Sequence, residues 1–387
     1  MKRSSDRILT THAGSLPRPP DLLETARRKA AGQRLDREAY AARVRQAVAD
    51  VVQQQVEHGL DIVDDGEMSK PSFITYVTER LAGFTPSAEA GELPWAGSKE
   101  VLAFPDYYAA TLRQSPNAGA ARFVCTGPIA YTGLAHAQAD IANLKAALAG
   151  VRVEEAFLPA ISPSNVEGRQ RNAYYKTDEE YLFAIADAMH EEYRAIVAAG
   201  FLLQIDDPRL VTYYIMDPRS TVDDCRRWAE VRVEALNHAL RDIPRDRVRF
   251  HTCYSINMGP RVHDMELKDV VDIIVRVRAG AYSFEAANPR HEHEWRVWKD
   301  VTLPEGALLI PGVITQSTVL VEHPQLVAER IVRFADVVGR ENVVAGADCG
   351  FATFAGSTEI PPAVAWAKLR ALTDGARLAT KALWGRP

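Results

Sequence analysis

Cysteine is scarce in this sequence, with four residues in 387, at positions 125, 225, 253 and 349. A chain of this length can stabilise itself with a large hydrophobic core, so four scattered cysteines do not indicate a disulfide framework. They are typical of a reducing compartment. We therefore expect a cytoplasmic protein in which some of the cysteines serve as free thiols or metal ligands.

Long apolar runs and excess positive charge are also missing. No stretch of about 18 apolar residues is present that could span a membrane, and the first residues lack the apolar core of a signal peptide. Basic residues are mixed with acidic ones, the formal net charge is -5, and no basic patch is interleaved with aromatic residues. We predict small-molecule ligands, with neither a nucleic-acid nor a membrane partner. The sequence leaves open whether the chain forms a homo-oligomer.

What the sequence does contain is a regular alternation of strand-like and helical segments. The strand signals are residues 8–19 (a short strand running into a Gly/Pro-broken loop), 61–67, 156–161, 201–206, 248–253, 281–285, 308–314 and 343–348. Helical periodicity covers residues 36–59, 178–199, 221–239, 266–277, 324–338 and 361–384. This pattern predicts an α/β protein, a TIM-type (β/α)8 barrel over residues 1–387. Residues 70–150 break the rhythm and are predicted to form an insertion after strand 2 that covers the site as a lid.

The active site of such a barrel lies at the C-terminal ends of its strands. No G-x-G-x-x-G motif follows the first strand and no phosphate-binding loop is present, which argues against a nucleotide-binding open sheet. Polar and metal-binding residue types collect instead at the predicted strand ends. These are Ser15, Glu67, Ser162, Asp206, Asp207, His251, Cys253, Glu285, Gln316, Ser317 and Cys349.

Four of these residues make a coherent zinc set: His251, Cys253, Glu285 and Cys349. His251 and Cys253 are two residues apart, so a β-strand would point both side chains to the same face. One nitrogen, two thiolates and one carboxylate suit zinc better than magnesium or calcium. Four protein ligands are typical of structural zinc, but the ligands of a structural site are normally close together in sequence. We therefore interpret the set as catalytic, with Glu285 as the ligand that a substrate thiol displaces most easily.

Other metal-binding residue types are predicted to have different roles. Cys125 and Cys225 have no histidine or cysteine nearby and are expected in the core. His291 and His293 would face opposite ways on a helix, which argues against a shared metal ion.

The strand-end residues resemble the catalytic domain of cobalamin-independent methionine synthase and its single-barrel relatives. The likeness extends from Thr10 to about Phe354. It rests on Gly14-Ser15-Leu16-Pro17-Arg18-Pro19, Asp65-Gly66-Glu67, Gln204-Ile205-Asp206-Asp207-Pro208, His251-Thr252-Cys253, Glu285 and Asp348-Cys349-Gly350. The resemblance implies that His251, Cys253, Glu285 and Cys349 bind a Zn2+ ion that activates the thiol of homocysteine for attack on a methyl group.

The resemblance also implies a binding site for the rest of homocysteine. It assigns the carboxylate and the amine to Ser15, Glu67 and Asp206, and a hydroxyl with two carboxylates is chemically suited to an amino acid. His12 and Arg18, in the loop after the first strand, are further candidates for substrate binding.

Two departures from the family pattern concern the alkyl donor. The family has a histidine just after strand seven, where this sequence reads Thr315-Gln316-Ser317, and the nearest histidine is His323. The third strand ends at Ser162 without the tryptophan against which a pteridine would pack. The resemblance implies methyltetrahydrofolate as the donor, whereas both departures argue against it. We predict a zinc-dependent transferase that alkylates a bound thiol, with methyl transfer to homocysteine or a similar thiol as the leading hypothesis.

The sequence leaves three alternatives open. An enzyme of the epoxyalkane:coenzyme M transferase type would open an epoxide with the same zinc-bound thiol, and Arg18, Lys70 or Arg290 would then bind the sulfonate. A non-catalytic barrel stabilised by zinc would lose its fold when the metal is removed. A metal-free barrel of the uroporphyrinogen decarboxylase type would contain no zinc.

Overall fold

A computed structural model describes residues 1–30, 33, 35–87, 95–111, 122–254, 259–355 and 360–385. Its central sheet has eight parallel strands, which we call the first to eighth barrel strands: Leu9–Thr10, Ile62–Val63, Glu155–Ile161, Leu202–Asp206, Val248–Thr252, Ala281–Phe284, Leu308–Ile314 and Val344–Ala347. The first strand pairs with the eighth, and from the second onward each pairs with the next along the chain. The first two strands meet where the Asp61 backbone N–H donates to the Thr10 carbonyl at 3.2 Å. The sheet is thus nearly closed, and the predicted barrel is confirmed.

Helices surround this sheet. The longer ones are Pro20–Ala30, Arg37–Glu57, Leu134–Ala147, Asp178–Ala198, Val222–Ala239, Pro324–Val338 and Pro362–Trp384. Shorter helices are Lys99–Ala103, Pro105–Thr111, Pro163–Glu167, Arg209–Met216 and Val271–Ile274, and 3-10 helices are Thr75–Glu79, Arg245–Arg247, Leu267–Asp269, Glu292–Lys299 and Arg340–Asn342. Helix starts follow local capping rules, since Thr221 and Asp224 form a reciprocal capping box. Within the described ranges, no helix combines the length and the apolar character needed to cross a bilayer.

The predicted helix over residues 266–277 is interrupted at Val270. This buried, β-branched residue has a φ of -139° and a ψ of -13°, outside the helical range. The segment therefore splits into the 3-10 helix Leu267–Asp269 and the four-residue helix Val271–Ile274.

The part of the chain that follows the second barrel strand adds a second, smaller sheet. Its strands are Leu81–Pro86, Phe123–Tyr131 and Arg171–Asn172. The buried carboxylate of Glu100 accepts hydrogen bonds from the backbone N–H groups of Val262 and His263, at 2.8 and 2.6 Å. These bonds attach the added segment to the loop that follows the fifth barrel strand. Closure of the segment over a substrate stays a prediction.

The barrel interior changes from apolar to polar along its axis. Its apolar layer comes mainly from the first halves of the strands: Leu9, Ile62, Phe157, Leu202, Ala281, Leu308, Ile310 and Val344. Next to this layer lies the fully buried Arg249, whose guanidinium carbon is 4.0 Å from the centroid of the Phe157 ring. The guanidinium donates to the Thr11 hydroxyl at 2.9 Å and to the His12 carbonyl at 2.7 Å. Burial lowers the pKa of Arg249 to about 10, so it remains a cation near neutral pH beneath the polar end of the barrel.

Candidate active site

The fifth and eighth barrel strands bring three predicted metal ligands together. One ring nitrogen of His251 and the sulfurs of Cys253 and Cys349 all lie within 4.8 Å of one another, and all three residues are buried. The two sulfurs are 3.1 Å apart. This convergence depends on the strand alternation, because His251 and Cys253 point to the same side of their strand.

The hydrogen bonding of His251 prepares the ring for a metal. Its Nδ1 lies 3.0 Å from the hydroxyl of Ser283 on the sixth strand, whereas its buried Nε2 has no hydrogen-bond partner. Burial lowers the pKa of His251 to about 3, so the ring is neutral at pH 7. A neutral imidazole that is oriented through one nitrogen and free at the other is typical of metal-binding histidines. Together with two thiols, it forms a donor set that suits zinc.

Glu285 lies outside this three-residue cluster. One carboxylate oxygen accepts a hydrogen bond from the Tyr254 backbone N–H at 2.8 Å, and the other accepts from the Asn288 side chain at 3.0 Å. The Arg261 guanidinium lies 3.6 Å from the second oxygen. The carboxylate is therefore fixed by partners from the fifth and sixth strand loops, within the same barrel mouth.

A compact group of charged residues supports these two loops. His291 stacks on Tyr254 with ring centroids 3.6 Å apart, and its nitrogens contact Glu294 at 2.8 Å and Asp264 at 3.3 Å. Burial opposes the charge of His291, but the two carboxylates outweigh this effect and raise its pKa to about 9. His293, by contrast, is exposed, so these two histidines do not form a shared metal site.

Asp348 connects the sixth and eighth strands next to the candidate metal cluster of His251, Cys253 and Cys349. One of its carboxylate oxygens accepts from the backbone N–H groups of Ala286 and Ala287 at 2.8 and 2.9 Å, while the other is buried without a partner. Burial, followed by repulsion from Glu285, raises the pKa of Asp348 to about 7. Asp348 thereby fixes the backbone that directly follows Glu285.

Ser15 lies against the loop that carries Cys349. A Cβ atom added to Gly350 would be only 2.0 Å from the Ser15 hydroxyl oxygen, so the glycine provides the space that this hydroxyl occupies. The Ser15 carbonyl accepts from the Phe351 backbone N–H at 2.9 Å, and its hydroxyl is 3.5 Å from that of Thr353. The predicted substrate-binding hydroxyl thus adjoins Cys349, a predicted metal ligand.

Two buried carboxylates lie on the same side of the barrel mouth. Glu67 has a φ of 56°, a left-handed conformation that is uncommon for a residue other than glycine. Its carboxylate is 3.3 Å from the Lys70 ammonium, which also donates to the Pro159 carbonyl at 2.6 Å. Asp206 accepts from the Gln204 side chain at 2.7 Å. Burial, followed by repulsion from Glu67, raises the pKa of Asp206 well above its usual range.

His12, a candidate for substrate binding, has both ring nitrogens engaged. Its Nδ1 accepts from the Gly14 backbone N–H at 3.1 Å, and its Nε2 lies 2.8 Å from the Gln55 side-chain oxygen. Burial lowers the pKa of His12 to about 4, so the ring is neutral at pH 7. These contacts favour a role for His12 in shaping the first loop.

The three cations considered for a sulfonate all have polar partners. Arg18 donates to the carbonyls of Ala352, Glu67 and Lys70 at 2.7 to 2.9 Å, which holds three loops together. Lys70 is paired with Glu67, as described above. Arg290 donates to the Val262 carbonyl at 2.9 Å and has a partly exposed side chain.

Some residues of the mouth were not assigned roles from the sequence. Gln316 is buried after the seventh strand, and neither polar atom of its amide has a partner among the described residues. Its position at a strand end was visible in the sequence, but its lack of partners was not. Nothing in the sequence distinguished Ser283 as the hydrogen-bond partner of His251. The sequence showed Arg249 only as a charged residue two positions before His251, and nothing in it indicated where the guanidinium lies.

The family comparison agrees with this geometry. The model of the cobalamin-independent synthase catalytic domain matches residues 8–114 and 130–371. The chain belongs to this family. The predicted resemblance to cobalamin-independent methionine synthases is therefore confirmed.

Relatives of known name cover the chain to different extents. A methionine synthase of Sulfurisphaera tokodaii is 24% identical over 379 residues, which are 97% of this chain and 93% of that protein. A methionine synthase of Thermococcus kodakarensis is 25% identical over 88% of this chain and 86% of its own length. The methionine synthase of Sulfolobus acidocaldarius is 26% identical, but the match spans 63% of this chain and only 61% of that protein.

Solved structures share the architecture. A B12-independent methionine synthase from Shewanella, in complex with selenomethionine, matches with a TM-score of 0.70 and 19% identity over 98% of this chain and all of that chain. A putative vitamin-B12-independent methionine synthase from Listeria monocytogenes matches with a TM-score of 0.66, also at 19% identity, over 96% of this chain and 98% of that chain. At such identities, the likeness shows the shared barrel fold.

Proposed function

We propose that this protein is a zinc-dependent methyltransferase that alkylates the sulfur of homocysteine or a similar amino-acid thiol. The observation that carries the proposal is the convergence of His251, Cys253 and Cys349 within 4.8 Å at the mouth of the barrel. The names of the relatives, methionine synthase, support the same reaction class.

His251, Cys253 and Cys349 would hold the metal, with Glu285 as a fourth and exchangeable ligand. Zinc held at this position would supply Lewis acidity, which would lower the pKa of an incoming thiol while its sulfur stays nucleophilic. The Glu285 carboxylate has alternative partners in Asn288 and the Tyr254 N–H. These partners would satisfy it when a substrate thiol takes its place.

The remaining residues of the mouth would orient the amino-acid part of the thiol substrate. Ser15, beside Gly350, offers a hydroxyl donor for a carboxylate. Glu67 and Asp206 offer acceptors for an ammonium group, and their mutual repulsion favours the entry of a positive charge. The alkyl carbon would then be positioned for displacement by the sulfur lone pair, with the bond to the leaving group breaking as the S–C bond forms.

The test is X-ray absorption at the zinc edge with and without homocysteine, combined with turnover measurements. We expect about one zinc per chain with two sulfur ligands, and three sulfur ligands after homocysteine is added. Cys349→Ala should lose zinc and turnover, while Cys225→Ala, a buried cysteine in helix Val222–Ala239, should retain both. Absence of zinc, or full turnover of Cys349→Ala, would overturn the proposal.

Removal of zinc from the native protein separates catalysis from structural support. Chelation should abolish turnover and leave the far-ultraviolet circular dichroism spectrum unchanged, because the barrel has its own large core. Loss of the fold on chelation would instead support the zinc-stabilised, non-catalytic alternative.

A further inference from the structure

Two arginines on the catalytic face form no ion pair with any carboxylate in the part of the chain that the structure describes. Arg209 begins the helix that follows the fourth barrel strand, and Arg169 follows helix Pro163–Glu167 after the third strand. Within the described ranges, neither guanidinium makes a hydrogen bond or an ion pair, and the Nε atom of Arg209 is buried without any partner. An arginine carries five N–H donors, so such a pair offers an unused binding capacity for an anion.

The nearby carboxylates are already engaged. Glu167 binds the Arg232 guanidinium through both oxygens, at 3.1 and 2.5 Å. Asp207 accepts from the Ser164 hydroxyl at 2.6 Å and from the Asn165 side chain at 2.9 Å. Neither carboxylate lies in ion-pair contact with the two free guanidinium groups.

The electrostatic cost of this arrangement falls on the two free arginines. Burial lowers the pKa of Arg209, while attraction to the Glu167 and Asp207 carboxylates opposes that shift. Arg169 is exposed at the surface, but desolvation of its guanidinium, followed by repulsion from Arg122 and Arg209, lowers its pKa. Neighbouring cations repel each other, and a bound anion would offset that repulsion.

The local backbone and the aromatic residues are arranged to hold Arg209 in place. A Cβ atom on Gly168 would be 2.2 Å from the guanidinium carbon of Arg209, so only glycine allows the guanidinium to lie against this turn. Tyr213 and Trp228 stack with ring centroids 4.2 Å apart, and the guanidinium carbon is 5.7 and 5.5 Å from the two centroids. An ordinary solvated arginine does not require such a support.

We propose that Arg169 and Arg209 form a binding site for a carboxylate or phosphate group. Arg209 is three residues beyond Asp206, so their Cα atoms are separated by no more than about 11 Å. The site therefore lies on the same face as the metal cluster, and the anionic end of the alkyl donor is its natural occupant. That choice of occupant rests on the proposed function, whereas a free anion would use the same chemistry.

Calorimetric titration with inorganic phosphate, and separately with glutarate, tests the site itself. At an ionic strength held constant with sodium chloride, the double variant Arg169→Gln/Arg209→Gln should bind both probes at least tenfold more weakly than the native protein. Gly168→Ala should weaken them similarly, because it displaces Arg209. The matched control is Arg219→Gln, which removes an arginine with an 89% exposed side chain and should bind like the native protein. Unchanged binding by the double variant would overturn the site, and this result does not depend on any transferase activity.

Turnover measurements distinguish the alkyl donor from a free anion as the occupant of this site. With 5-methyltetrahydrofolate, a donor that carries carboxylates, the double variant should show a KM for the donor at least tenfold higher. With methyl iodide, an uncharged donor, its rate should match that of the native protein. Weaker phosphate binding together with an unchanged donor KM would assign the site to a free anion and overturn the donor assignment. If neither donor supports turnover in the native protein, the proposed function fails, while the calorimetry still decides the anion site.

Discussion

Gly350 provides a direct test of the place assigned to Ser15. In Gly350→Ala the new Cβ would be 2.0 Å from the Ser15 hydroxyl oxygen. Real Cβ atoms essentially never lie closer than 3.0 Å to such a neighbour. The oxygen must therefore move by about 1 Å or more. Rotation of Ser15 about χ1 is the simplest relief, since its own Cβ is already 3.3 Å from the added atom.

The expected loss follows from the chemistry of one hydrogen bond. A hydrogen bond to a charged group contributes about 1.5–3 kcal/mol, so a displaced hydroxyl should weaken homocysteine binding by about 10- to 150-fold. Zinc content should be unaffected, because the metal ligands themselves are retained. Calorimetry with homocysteine and a metal assay on the same sample measure both quantities.

A double-mutant cycle decides whether the two residues act together. Ser15→Ala should show the same loss as Gly350→Ala, and the double variant should lose no more than either one, because only one hydroxyl is removed. If the losses add, or if Gly350→Ala binds homocysteine like the native protein, Ser15 is not the carboxylate donor that we propose.

Two further predictions concern buried charges. Lys70→Met would leave the Glu67 carboxylate buried without its cation, so the free energy of unfolding in urea should fall by about 3–5 kcal/mol. The control Lys268→Met, at an exposed lysine, should change this free energy by less than about 0.5 kcal/mol. Equal effects of the two substitutions would contradict a buried ion pair between Lys70 and Glu67. The pKa of His291 is raised from 6.5 to about 9, so its charge contributes stability that is fully present below pH 6.5 and lost as the pH rises through 9. Across that pH range the free energy of unfolding in urea should fall by up to about 3 kcal/mol. His291→Gln should remove this part of the pH dependence. If the variant shows the same pH dependence of the unfolding free energy as the native protein, His291 is neutral.

The strand pattern was predictable because it depends on local alternation. The two-residue spacing of His251 and Cys253 predicts that both side chains lie on one face of their strand, and in the structure they converge with Cys349. The sequence could not show that Arg249 is fully buried, since its partners Thr11 and Phe157 come from distant strands. Side-chain partners of this kind depend on tertiary packing, which the periodicity of the sequence does not reveal.

Strand ends near the site were less predictable than strand centres. The second strand was expected to continue to residue 67, but it ends at Val63. The Asp64 and Asp65 side chains accept the backbone N–H groups of Gly66 and Glu67, at 2.8 and 2.9 Å, and thereby replace strand pairing with a turn. This turn also gives Glu67 its left-handed conformation. Asp65, which belongs to the Asp65-Gly66-Glu67 motif of the family resemblance, thus also helps to end the second strand.

The balance of charge in the barrel mouth explains why the proposal specifies an amino-acid thiol. A thiol without an amine would leave Glu67 and Asp206 to repel each other in a buried setting. Lys70 compensates one carboxylate, and Arg249 lies beneath the other, so the protein tolerates the pair before substrate binds. An ammonium group between the two carboxylates would add the charge that the protein itself does not supply. We therefore expect substrate selection to depend on the second acid as much as on the proposed metal ligands, since those ligands would hold any thiol.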